Sequence, residues 1–110
     1  MVGLKQGSIL YLDFSPQSGH EQSGRRPAIV VSNDLYNAVS SLVMVCPITH
    51  TNKKRPFNVP LDSRTKTDGY ILCDQVRMVD GKSRNAVYIE AAPPDILNEV
   101  IDIISGIIEH

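Results

Sequence analysis

Tryptophan is absent and aromatic residues make up only 5% of the chain. Extensive stacking of bases or flat ligands on aromatic faces is therefore not expected; Tyr36, Tyr70, Tyr88 and Phe57 are the few candidates. Cysteine is scarce as well. Cys46 and Cys73 stand in apolar, strand-like contexts without CxxC spacing, which predicts two buried thiols rather than a disulfide or a metal site. No apolar run approaches the roughly 18 residues of a membrane span. The start, MVGLKQGSILYLDF, has no long apolar block ending in small residues, so no signal peptide and a cytoplasmic location are expected. HExxH, GxxxxGK and GxSxG are all missing, as is any spaced set of metal ligands. A reaction without metal or cofactor is the expectation.

What is present fits one domain spanning residues 1–110. Apolar residues are 42% and charged residues 21%, ordinary for a globular protein. The net charge of −1 hides a segregation. Residues 93–110 hold Asp95, Glu99, Asp102 and Glu109 but no Lys or Arg. The rest carries eleven basic and eight acidic side chains, a net of +3. That balance suits a local cationic site and not a broad nucleic-acid-coating surface.

Strand signals recur along the chain. Ser8 to Phe14 is rich in β-formers and ends before Pro16. Residues 27–32 and Ser41 to Ile48 form further apolar runs, with Pro47 suggesting an edge or bulge. Between them, Asn33 or Asp34 can cap a short helical turn through Ala38. Pro56 to Pro60 alternates, and Asp62 to Gly69 is a turn-rich loop. Tyr70 to Val79 reads as one or two strands broken near Asp74 and Gln75. Asp80-Gly81 signals a turn, and Ala86 to Glu90 a last short strand. From Pro94 the apolar residues switch to helical spacing, at 96, 97, 100, 101, 103, 104, 107 and 108. These elements predict a mainly β domain, a small and strongly bent sheet or barrel, closed by one C-terminal helix. A core this small gains from dimerisation.

The most informative stretch is HEQSGRRPAIVV, residues 20–31. Polar and cationic side chains stand on a loop whose far end enters a buried strand, a common way to hold binding groups. Arg26, one position before the strand, offers a planar and permanently charged guanidinium for a phosphate; a surface salt bridge is the plain alternative. Arg25 reads as its solvated neighbour. Thr49, at the end of a strand, can bond a phosphate oxygen or simply cap a turn. His20 is of a type suited to proton transfer, and Glu21 to pairing with an arginine. Asp74 is either an acceptor for loop amides or a general base. Lys53, Lys54 and Arg55 form a cationic run that could follow an RNA backbone. The chemistry that fits is attack of an RNA 2′-hydroxyl on its own phosphodiester. It needs a base, a cation on the non-bridging oxygens and a proton donor at the 5′-oxygen, but no protein nucleophile.

At these residues the chain resembles the MazF/PemK/Kid family of toxin endoribonucleases. The matching pieces are GSILYLDFSPQSGHEQSGRRPAIVVS, the strand ending in CPIT, and DGYILCDQVRMVD, in the family's order. The resemblance implies an SH3-like β-barrel of the MazF/CcdB type, a homodimer, and metal-free, sequence-specific cleavage of single-stranded mRNA. The products would be a 2′,3′-cyclic phosphate and a 5′-hydroxyl. It also implies a cognate acidic antitoxin as inhibitor, whose complex with the toxin binds operator DNA through the antitoxin. By position, Arg26 and Thr49 match the pair assigned to catalysis in the MazF branch. His20 and Asp74 match the histidine and aspartate assigned in the Kid branch, where Leu72 replaces an expected arginine. Glu21, Gln22, Arg25, Lys53, Lys54, Arg55, Gln75 and Arg77 are the expected RNA contacts. The competing expectations are a CcdB-like gyrase-binding poison and an inactive homologue that only binds RNA or antitoxin.

Overall fold

A computed structural model describes residues 4–14, 24–51 and 55–110. Among these residues seven strands form one sheet: β1 (Ser8–Asp13), β2 (Arg25–Val30), β3 (Val43–Thr49), β4 (Asn58–Pro60), β5 (Tyr70–Leu72), β6 (Arg77–Val79) and β7 (Val87–Ala91). The paired order is β4-β5-β3-β2-β1-β7, with β6 also on β3, and every pairing is antiparallel. Among the described residues the sheet is joined by two α-helices, α1 (Asp34–Val39) and α2 (Pro94–Ile108). The mainly antiparallel sheet with a C-terminal helix is as expected; among the described residues it does not close into a barrel.

The continuous apolar runs of β2 and β3 follow from burial on both faces. Ile29, Val31, Cys46 and Ile48 face one cluster, with Ile9, Ile71 and Cys73. Ile96, Val100 and Ile104 of α2 complete that cluster, spaced to lie on one side of a helix. Ala28, Val30, Val43 and Val45 face a second cluster with Leu10, Leu12, Phe14 and Val79. Alternation thus divides neighbouring residues between two cores. The apolar stripe of α2 outruns the first core, and Ile107 and Ile108 remain exposed.

The break near Asp74 is a 3-10 turn over Cys73–Gln75. It lets one chain segment serve β3 twice: β5 pairs Ile48 and Thr49, and β6 pairs Val43 to Val45. Pro47 falls between these two contacts. A proline in a central strand is tolerated where no ladder bond is asked of its nitrogen. The sheet accordingly places Pro47 inside β3 and not at an edge.

Candidate active site

The site is built at the end of the sheet where β1 finishes, β2 begins and β3 finishes. Asp13 lies across from Arg25 and Leu12 across from Arg26, so both arginines belong to β2 itself. The strand therefore starts two residues earlier than Pro27 suggests. Pro27 sits opposite Tyr11 in the β1 ladder. The β2–β3 ladder ends at Ala28↔Pro47. Continuing that register by two residues sets Arg26 opposite Thr49, on the face shared by Ala28, Val30 and Val45. Each keeps its outer partner instead: Arg26 pairs with Leu12, and Thr49 with Tyr70. Pro47 at the last rung and Pro27 one position beyond it thus end the pairing just where the arginine and threonine stand.

Arg26 is half-buried. Thr49 is buried, with 4% of its surface exposed, and its hydroxyl accepts from the Thr51 N–H at 3.3 Å. This is the turn-capping role; the hydroxyl hydrogen is left to donate elsewhere. The turn is fixed from behind by Gly69, at φ 113°. A Cβ there would lie 2.1 Å from the Thr49 carbonyl oxygen and 3.2 Å from His50 Cα. Only glycine permits that approach.

Arg25 is more constrained than a solvated neighbour. Its guanidinium donates to Asp13 Oδ1 at 3.2 Å and to the Asn85 carbonyl at 2.9 Å, and stands 5.0 Å over the Tyr11 ring. Asn85, at φ 55°, returns a side-chain bond to Asp13 Oδ2 at 2.9 Å. These bonds from Asn85 and Arg25 hold the Asp13 carboxyl below its ordinary range. Asp13, Gly24, Arg25, Ser83 and Arg84 line an open cavity of about 450 Å³ beside this cluster. Nothing in the sequence ties Asp13 to Asn85, 72 positions away; the pairing needs the register of the sheet.

Asp74 leaves the ladder in the 3-10 turn and accepts from Arg55 at 3.2 Å. Arg77 lies opposite Val45 with its guanidinium 5.4 Å over the Phe14 ring. Gln75 is half-buried. The expectations for His20, Glu21, Gln22, Lys53 and Lys54 fall outside the described residues. His50 was not singled out by sequence, yet its Nδ1 lies 2.7 Å from Asp68 Oδ1, directly after Thr49. Among the described residues no group of three or more His, Cys, Asp or Glu could hold a metal ion. Nor is any described helix long and apolar enough to cross a membrane.

Both thiols are free and buried. Burial pushes the Cys46 thiol well up, and that of Cys73 up to about 12, with the nearby Asp74 carboxylate adding to both.

Comparison with known proteins agrees with this architecture. A family profile described as PemK-like, MazF-like toxin of type II toxin-antitoxin system matches residues 5–108. Endoribonuclease PemK of Escherichia coli is 35% identical over 109 residues, covering 96% of this chain and 82% of that protein. Among solved structures, MazF from Deinococcus radiodurans superposes with a TM-score of 0.91 at 39% identity, covering 98% of both chains. A MazE-MazF structure from the same organism gives 0.85 at 39% identity, covering 98% of this chain and 97% of that one. With a matching profile over nearly its whole length, relatives in sequence and the same sheet and helix, the chain belongs to the PemK-like, MazF-like toxins of type II toxin–antitoxin systems.

Proposed function

We propose that residues 1–110 act as one toxin domain that cuts single-stranded mRNA at a specific sequence, without metal, and so stops translation and growth. The reading rests on family membership and on one observation: Arg26 and Thr49 stand on one face of neighbouring strands, where the ladder between them has ended. The 2′-oxygen attacks the adjacent phosphorus and the bond to the 5′-oxygen breaks. The products are a 2′,3′-cyclic phosphate and a 5′-hydroxyl. The Arg26 guanidinium holds the non-bridging oxygens as charge develops on them. Thr49 holds the turn after β3 and keeps an O–H to offer the phosphate. His20 and Asp74 have secondary roles, positioning the ribose or the loops. Glu21, Gln22, Arg25, Lys53, Lys54, Arg55, Gln75 and Arg77 contact the flanking RNA.

The toxin works as a homodimer in the cytoplasm. An acidic antitoxin neutralises it, and the complex binds operator DNA through the antitoxin. The solved MazE-MazF complexes support the antitoxin as partner.

The test is the chemistry of the ends. Purified protein is incubated with a long transcript in EDTA, and the fragments are labelled with polynucleotide kinase without prior phosphatase. The expected result is discrete fragments whose 5′ ends accept label directly and whose 3′ ends are cyclic phosphates. Intact RNA, or fragments with 5′-phosphates, overturns the reading.

A further inference from the structure

The reaction proposed above leaves one role unfilled among the described residues: a proton donor for the departing 5′-oxygen. A guanidinium stabilises charge well but surrenders its proton poorly. The Thr49 hydroxyl accepts from the Thr51 amide and keeps its hydrogen to bond the phosphate, but an aliphatic hydroxyl is too weak an acid to give that proton up. Asp74 is paired with Arg55, and Arg25 with Asp13. Imidazole is the side chain that gives and takes protons near neutral pH. Of the three histidines, His110 stands beyond the end of α2 and His20 lies outside the described residues. His50 follows Thr49 directly at the end of β3.

We infer that His50 is the general acid of RNA cleavage, oriented by Asp68; the inference rests on the ribonuclease reading. The Nδ1 of His50 lies 2.7 Å from a carboxylate oxygen of Asp68. A carboxylate only accepts, so Nδ1 carries a hydrogen in that bond and Nε2 is the atom that exchanges its proton. The side chain is 74% exposed, so Nε2 is open to a large substrate. The backbone on both sides of the pair is held by contacts. Gly69, next to Asp68, packs against the Thr49 carbonyl and the His50 Cα. Glu90 fixes the same loop by accepting from the amides of Lys66 and Thr67 and from the Thr67 hydroxyl. The loop carrying Asp68 is thereby pinned to β7.

The 2′-hydroxyl loses its proton to solvent as its oxygen bonds to phosphorus. The bond between phosphorus and the 5′-oxygen breaks, and its electron pair stays on that oxygen. The imidazolium Nε2 delivers a proton there. The neutral imidazole then regains a proton from solvent. Asp68 never bonds the substrate; it is a positioning residue.

The deciding experiment replaces the 5′-oxygen of the scissile linkage by sulfur. A thiolate departs without a proton, so general-acid catalysis is no longer needed. The substrate is an oligoribonucleotide spanning a site mapped in a long transcript, made in oxygen and 5′-thio forms. On the oxygen form, His50→Gln is expected to be about 100-fold slower than wild type, the low end for loss of a general acid. On the thio form the two proteins are expected to agree within a few-fold. Asp68→Asn shows a smaller deficit that is relieved in the same way. An Arg26→Ala deficit persists on both substrates, since charge on the non-bridging oxygens is unchanged. Equal rates of wild type and His50→Gln on the oxygen form overturn the assignment, as does a deficit that persists on the thio form. A His20→Ala deficit that alone disappears on the thio form moves the role to that residue. Wild-type protein that cleaves neither substrate overturns the ribonuclease reading and this assignment with it.

Discussion

Gly69 shows how much of the site hangs on a single missing Cβ. Its φ of 113° is strained for any L residue, and an added Cβ would meet the Thr49 carbonyl at 2.1 Å. That atom is backbone and cannot swing aside. Gly69→Ala is therefore expected to displace the turn at Thr49 and His50, lowering both thermal stability and RNA cleavage. An unchanged melting temperature with full cleavage contradicts this. The cysteines give a second residue-scale prediction. Cys46 and Cys73 are buried and their thiols are pushed upward by burial. Thiolate is the reactive form. Iodoacetamide at neutral pH is expected to leave both untouched in the folded protein and to modify both after unfolding in guanidinium. Rapid modification of either in the folded state contradicts the packing described. The thiols were legible in the sequence because an apolar run with no CxxC has one simple reading. The clamp of Asp13, Arg25 and Asn85 was not, because its members meet only through the register of β1 against β2.

At the scale of elements, the strands of β1, β3 and β7 lie within a residue or two of where alternation and turn signals place them. The break at Asp74 also appears where the polar pair interrupts Tyr70 to Val79. The prolines misled for one reason. Pro27 is read as the start of a strand and Pro47 as an edge or bulge because proline cannot donate. Both sit inside strands, at rungs where the ladder between β2 and β3 stops or where β3 changes partner. Sequence marks the missing donor but not which neighbour goes without it. The loop from Asp62 to Gly69 carries a pH-dependent tether. Burial raises the Glu90 carboxyl, but the amides of Lys66 and Thr67 and the Thr67 hydroxyl outweigh it and hold the group below its ordinary range. A depressed carboxyl stabilises the fold above its unfolded pKa and loses that contribution as pH falls through the folded value. Stability measured by urea melts is expected to fall in acid, and Glu90→Gln to remove part of that fall. An identical acid profile for the variant contradicts the tether. In α2, Ile96 fills the first core cluster. Ile96→Ala is expected to cost about 2–5 kcal/mol, as for other large-to-small core changes.

Across the whole molecule, charge is divided between a mildly basic body and an acidic helix. Arg64 joins the two, bonding Asp62 on the loop and Asp95 at the start of α2. Those bonds hold both carboxyls below their usual range. Two of the candidate RNA-contacting cations are already paired, Arg25 with Asp13 and Arg55 with Asp74. RNA binding is therefore expected to depend on salt only moderately. A slope of log K against log salt of about −3 corresponds to about four phosphates neutralised on a single strand. A slope twice as steep would mean a broad cationic surface that this charge distribution does not provide.

On the ribonuclease reading, the guanidinium of Arg26, at the end of the β2–β3 ladder, stabilises the charge that builds on a scissile RNA phosphate. Its most direct test is the single-turnover cleavage rate of one mapped site, in EDTA, by wild-type protein and Arg26→Ala at matched folding. A loss of about 100- to 1,000-fold is expected, the range for removing one preorganised stabiliser of a developing oxyanion. Equal rates for the two proteins, each correctly folded, would contradict it.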